Sequence, residues 1–259
     1  MKILITGASS GIGAEFARQY ASNENELFLL ARREEKLLQL KNKLLHKCKN
    51  ITLIVVDVRD FKLLQEKLND IGRMDLIILN AGISLGHTHT DIPTIEEFKN
   101  LYDVNVLSQH AVLEVLLPKM QAQRSGKIVF ISSLSSLFTM PTAKVYASSK
   151  RALNAYAEGI RFKYAKDGIK VITILPGFIK SELTDKNDFK MPFLLETDEA
   201  VGRMKRAIEK GKEFYAFPFR FFIIILIIKI VPTFILTKFN INKKNHIVSR
   251  KNLSDYSVQ

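Results

Sequence analysis

Thr6-Gly7-Ala8-Ser9-Ser10-Gly11-Ile12-Gly13 closes a short apolar run, Lys2 to Thr6, and opens onto Ala14-Glu15-Phe16-Ala17, where apolar residues recur at helical spacing. Placement gives the octapeptide its meaning. Glycines at 7, 11 and 13 allow a tight turn and a close backbone approach, so the N–H groups and positive dipole end of the new helix can face an anion. Strand, glycine turn and helix in this order cradle a diphosphate in dinucleotide-binding α/β proteins. The same turn also serves as a plain strand-to-helix connection, so the rest of the chain decides.

Beyond the octapeptide, apolar β-rich runs recur at Glu26 to Ala31, Ile51 to Val56, Met74 to Leu79, Lys127 to Ser132, Lys170 to Leu175 and Glu213 to Phe217. Amphipathic segments such as Glu34 to Lys47 and Thr94 to Met120 lie between them. Short buried runs alternating with helices, joined by right-handed crossovers, predict an α/β fold: a Rossmann-type doubly wound parallel sheet of about seven strands, with helices on both faces. Residues 1–217 are expected to form this single dinucleotide-binding and catalytic domain. The irregular stretch 178–195, with Phe178, Phe189, Met191, Phe193 and Leu194, reads as a lid.

Bulk properties narrow the class. The 259 residues suffice for one large domain. The lone Cys48 forms no internal disulfide and reads as a helix-surface or partly buried thiol. The apolar start is too short for a secretory signal, so a cytoplasmic protein is expected. The net charge is +13, yet residues 200–259 hold 12 Lys/Arg against 3 Asp/Glu, leaving +4 for the first 199. Basic charge that flanks an apolar stretch, without interleaved base-stacking aromatics, argues against nucleic acid and for an anionic membrane surface or a solvated tail.

The second strand ends in Ala31-Arg32-Arg33, with none of the carboxylates that usually hold the adenine ribose of NAD. A guanidinium there suits a 2′-phosphate, so NADP(H) is the expected cofactor. The alternative is that Arg32 and Arg33 pair with Glu34 and Glu35.

Tyr146 and Lys150 stand four apart in a helical segment and so share a face; of the seven tyrosines, Tyr146 alone has a lysine at that spacing. The nearby ammonium is expected to lower the phenol pKa toward the working range of an acid/base. Ser133 lies 13 residues earlier, just past a strand end, where a hydroxyl can polarise a substrate oxygen. His87 and His89 have no ligand-spaced companions, so no metal site is expected.

In order, the chain has the glycine turn, Asp57, Asn80-Ala81-Gly82, Asn105, Ser133, Tyr146 with Lys150, and Pro176-Gly177. This series, in this strand context, resembles the short-chain dehydrogenase/reductase family. The resemblance implies that Ser133, Tyr146, Lys150 and Asn105 form the catalytic group, Asn105 holding a relay water through its backbone and Lys150 also holding the nicotinamide ribose. It further implies cofactor contacts from Gly7, Ser9, Ser10, Gly11, Ile12 and Gly13, from Arg32 and Arg33, and from Asp57 and Val58 at the adenine. Asn80, Ala81 and Gly82 would lie beneath the cofactor, and Pro176, Gly177, Ile179 and Ser181 beside the nicotinamide, Ser181 replacing the usual threonine. Asp57 also reads as a cap for the helix near Asp60, Asn80 as a tie between strands, and Asn105 as a helix kink.

The end of the chain departs from the family. From Phe221 to Leu236, 13 of 16 residues are apolar, interrupted by Lys229 and Pro232 and shorter than the ~20 needed to span a bilayer. Residues 218–259 are therefore read as an apolar and basic extension. It either meets a membrane surface through 218–244, with Arg220, Lys229, Lys238, Lys243 and Lys244 near anionic headgroups, or packs over the substrate opening or a subunit. The expectation is an NADP(H)-dependent oxidoreductase acting on a lipophilic carbonyl or alcohol, a homo-oligomer (dimer or tetramer), cytoplasmic or peripheral on the inner membrane face. The alternative is a non-catalytic NADP(H)-binding regulatory or membrane-surface adaptor protein.

Overall fold

The computed structural model describes residues 1–85, 92–185 and 191–231. His87, His89, Phe189, Lys238, Lys243 and Lys244 fall outside these residues, as does the extension beyond 231. Strands β1 (Lys2–Thr6), β2 (Glu26–Ala31), β3 (Asn50–Val55), β4 (Leu76–Leu79), β5 (Gly126–Ile131), β6 (Ile169–Pro176) and β7 (Phe214–Phe217) form one sheet in the order β3-β2-β1-β4-β5-β6-β7. Every pairing is parallel. The expected seven-stranded doubly wound sheet is the fold observed. Parallel strands covered on both faces are apolar along their whole length, and β4, Leu76-Ile77-Ile78-Leu79, is buried throughout.

One face is covered by α1 (Gly11–Tyr20), α2 (Glu34–Leu44) and α7 (Thr197–Glu209), whose Phe16, Leu37, Leu40 and Met204 join Ile3, Ile5, Leu27 and Ile78 in one core. The other is covered by α3 (Phe61–Asn69), α5 (Ser108–Gln123) and α6 (Lys144–Tyr164), which bring Leu64, Leu68, Leu116 and Leu153 to Leu4, Leu30, Ile77 and Phe130. Strand order reverses between β1 and β4, so the carboxyl ends of these strands open a crevice there, where ligands bind in such sheets.

Two expectations needed correction. The stretch Thr94 to Met120 is not one helix: Thr94 caps α4 (Ile95–Tyr102) with a capping box, and a π-helical turn at Asp103–Leu107 precedes α5. Cys48 is fully buried after α2, its thiol donating to the Asn25 carbonyl at 3.3 Å. The last described helix, α8 (Phe219–Ile230), lays Ile225, Phe221 and Phe222 on Leu134 and Leu175.

Candidate active site

The glycine turn has the shape the sequence called for. Gly7 and Gly11 adopt φ of +67° and +49°, a region that penalises side chains, and a Cβ at Gly13 would sit 2.3 Å from the Gly7 carbonyl oxygen. Ser10 precedes α1 in extended conformation and its side chain caps no N–H, which leaves the first donors of the helix without a capping side chain at Ser10. Ile12 packs inward on the core. These residues fit a diphosphate.

Around this turn the polar side chains form three groups. Asn80 ties the ends of β4 and β1 together: its amide donates to the Thr6 carbonyl at 3.0 Å, while Thr6 Oγ1 accepts from the backbone N–H of Asn80 and Ala81, both at 2.9 Å. This is the strand-tie reading. Asp57 is held by Arg59 at 2.6 and 3.0 Å, which draws its carboxyl below the ordinary range, and lies 3.8 Å from Arg32. The helix cap is Asp60, not Asp57. Val58 packs on the core beneath α3. Arg33 lies across the turn, donating to Ser9 Oγ at 3.1 and 3.2 Å and to Ser10 Oγ at 2.6 Å, and meets Glu182 at 2.8 Å. Neither arginine is paired with Glu34 or Glu35 among the ion pairs of the described residues.

At the far end of the crevice, Ser133 follows β5 and Tyr146 and Lys150 lie on α6. The Tyr146 hydroxyl shares a hydrogen bond with Ser133, whose oxygen also accepts from the Ser135 N–H at 3.1 Å. Lys150 Nζ is 5.8 Å from the Tyr146 ring centre and donates to the Ile131 carbonyl at 2.8 Å. Ser132 points the other way, donating to the Lys150 carbonyl at 3.3 Å. Gly82 completes the corner, since a Cβ there would lie 3.4 Å from both Lys150 Nζ and Asn105 Oδ1. Asn105, on the π-helical turn, clamps the Ile83 backbone in both directions at 2.8 and 3.0 Å and donates to Ser149 Oγ at 3.0 Å. The kink and the inward asparagine are thus one feature.

The electrostatics differ from expectation. Burial pushes the Tyr146 phenol up to about 12, opposed by the Ser133 hydrogen bond, and pushes Lys150 down to about 8. The ammonium is turned to a carbonyl rather than to the phenol oxygen, so spacing alone overstated its pull.

Pro176 ends β6, Gly177 donates its N–H to the Phe217 carbonyl at 2.8 Å, and Ile179 bridges to Leu195, which ties the neck of the 178–195 stretch. Ser181 brings its Cβ against the open side of Gly11. Thr184, absent from the sequence reading, donates to the Ile179 carbonyl and accepts from the Ser181 N–H, both at 2.8 Å. Among the described residues no group of three or more His, Cys, Asp or Glu is placed to hold a metal, and no helix is long and apolar enough to cross a membrane.

A family model described as short chain dehydrogenase matches residues 1–191. The chain belongs to this family. It is accordingly an NAD(P)-dependent dehydrogenase or reductase. A Myxococcus xanthus protein described as an uncharacterized oxidoreductase is 32% identical over 233 residues, covering 88% of this chain and 92% of that one. An 11-beta-hydroxysteroid dehydrogenase-like protein of Arabidopsis thaliana is 32% identical, covering 81% of this chain and 69% of its own. Among solved structures, a short-chain dehydrogenase from Sphingobium yanoikuyae in complex with NADPH superposes with TM-score 0.79 at 21% identity over 99% of both chains. ElxO with NADP bound superposes with TM-score 0.73 at 26% identity, over 83% of this chain and 96% of that one.

Proposed function

We propose that this dehydrogenase is an NADP(H)-dependent carbonyl reductase or alcohol dehydrogenase for a lipophilic substrate, with Tyr146 as its acid/base. The observation that carries the reading is the half-buried Tyr146 whose hydroxyl is joined to the buried Ser133 at the carboxyl end of β5, with the buried Lys150 beside it. NADP(H), when bound along the glycine turn, would supply or accept the hydride at the substrate carbon. In reduction, the Ser133 hydroxyl orients the carbonyl oxygen and Tyr146 gives it a proton. The phenol holds its proton at neutral pH, and the hydrogen bond from Ser133 opposes the rise that burial imposes on it. Lys150 and Asn105 hold the floor of the corner, and the backbone N–H groups of Gly7 to Gly13 would hold the diphosphate.

Arg33 and Arg32 beside the turn support NADP(H), as does the NADP in ElxO. The lid 178–195 and α8 support a lipophilic substrate: Phe178 and Phe193 each lie 5.8 Å from the Phe221 ring, next to Gly177 and Leu134. The outward Leu107 and Phe162 support assembly into a homo-oligomer, and the outward apolar side of α8 supports peripheral contact with a membrane surface. The reading is tested by screening aldehydes and ketones for oxidation of NADPH and NADH. Apolar ketones should be reduced with NADPH at a KM at least tenfold below that for NADH, a difference of about 1.4 kcal/mol. Turnover of small polar sugars alone, or equal use of the two coenzymes, would overturn it.

A further inference from the structure

The donors beside the glycine turn already have a partner from the chain itself. Glu182, on the segment after β6, reaches Arg33 Nη1 at 2.8 Å and Lys36 Nζ at 2.5 Å. The Ser10 hydroxyl, which accepts from Arg33 Nη2 at 2.6 Å, also hydrogen-bonds this carboxylate. The adjoining cleft, about 380 Å³, is lined by Arg18, Lys36, Lys43 and Lys180, and Glu182 is the one carboxylate in its lining. Arg18 and Lys180 pair outward with Glu15 and Glu196.

A guanidinium fork, an ammonium and a serine hydroxyl at the start of a helix are donors suited to a phosphate monoester. Here they converge on a carboxylate that remains half-exposed, at 50%, and can therefore move away without unpacking a core. Its bonds from Lys36 and Arg33 hold it down to about 2, so it is charged throughout the working range.

We propose that Glu182 is an internal competitor for the 2′-phosphate of NADP(H), engaging the same Arg33, Lys36 and Ser10 donors and thereby setting how tightly and how selectively the coenzyme is held. This rests on the NADP(H) reading above. A doubly charged phosphate outcompetes one carboxylate for a shared set of cations, yet it must displace that carboxylate to do so. NAD(H), with a hydroxyl at the 2′ position, has no such exchange to make. Removing the negative charge should therefore strengthen binding of the phosphorylated coenzyme alone.

The test compares the full-length protein with Glu182→Gln by titration with NADPH, NADH, adenosine 2′,5′-bisphosphate and AMP. Glu182→Gln should lower the Kd for NADPH and the bisphosphate about three- to tenfold, the worth of roughly two exposed ion pairs, and leave NADH and AMP unchanged. The difference should shrink as salt is raised. Unchanged or weaker bisphosphate binding, or equal tightening of all four ligands, would overturn the proposal. Arg33→Ala separates the two readings. If it removes a wild-type preference for the bisphosphate while Glu182→Gln changes nothing, the competitor alone is refuted. If wild-type protein binds bisphosphate and AMP equally and Arg33→Ala alters neither, the NADP(H) reading fails and the competitor with it.

Discussion

The corner around Tyr146 and the helix α8 lie close together and are built on opposite terms. In the corner, the polar groups are each joined to a named partner: the half-buried Tyr146 to Ser133, the buried Lys150 to the Ile131 carbonyl, and the buried Asn105 to Ile83 and Ser149. In α8, the inward Phe221, Phe222 and Ile225 are packed, while Phe219, Ile223, Ile224, Ile227 and Ile230 face outward. A buried polar group left without a partner costs ~1–3 kcal/mol, so the corner tolerates little variation in geometry. An outward isoleucine costs the fold almost nothing and has a reason only in what meets it. Chemistry should therefore respond steeply to changes in the corner and folding hardly at all to changes on the outer side of α8.

The largest expected effect is that of Tyr146→Phe. It removes one hydroxyl and keeps the ring, so reductase kcat should fall about 10³-fold, within the range of a lost general acid. The Kd for NADPH should stay within about threefold by titration. A variant that keeps a tenth or more of wild-type activity would remove Tyr146 from the acid/base role.

A smaller effect should come from Lys150. Its pKa is lowered to about 8, so the ammonium is present below that pH and is lost as pH rises through it, well before an ordinary lysine would titrate. If the charged form is the one that works, kcat/KM for NADPH at saturating ketone should fall about tenfold per pH unit above about 8. Lys150→Arg, which keeps its charge, should lack this decline at whatever activity it retains. A flat wild-type profile to pH 10 would show that the corner does not depend on this charge.

The comparison also marks what was legible in the chain. Glycine turn, Tyr146 with Lys150, and the alternation of strands and helices were readable because each is a local pattern, decided within a few residues by backbone sterics or helical period. Less legible were the partners these residues meet far away in sequence. Thr6 joins Asn80 and Ala81, Asn105 joins Ile83 and Ser149, and Glu182 joins Arg33, 149 positions distant. No spacing announces such contacts. Burial is equally silent, which is why Lys150 was expected to lower the Tyr146 phenol toward the working range, whereas desolvation pushes it up. The break in the 94–120 helix follows from Asn105 turning inward, a demand of the loop at Ile83 rather than of local propensity.

The smallest effect on folding should come from the outer side of α8. Ile223→Ser combined with Ile227→Ser changes two residues that are 36% and 58% exposed, so the midpoint of urea unfolding should shift by no more than about 0.5 kcal/mol equivalent. Phe221→Ala, on the packed side against Phe178 and Phe193, should cost ~2 kcal/mol by contrast. If the outward stripe meets lipid, with Arg220 and Lys229 beside anionic headgroups, the double variant should lose flotation with phosphatidylserine-containing vesicles that wild-type protein shows at low salt. If it meets another subunit, sedimentation velocity should shift to smaller species while flotation is absent in both proteins. Should neither measurement distinguish variant from wild type, the outer stripe has no partner of either kind, and the contrast between the two regions would reduce to one between packed and merely tolerated side chains.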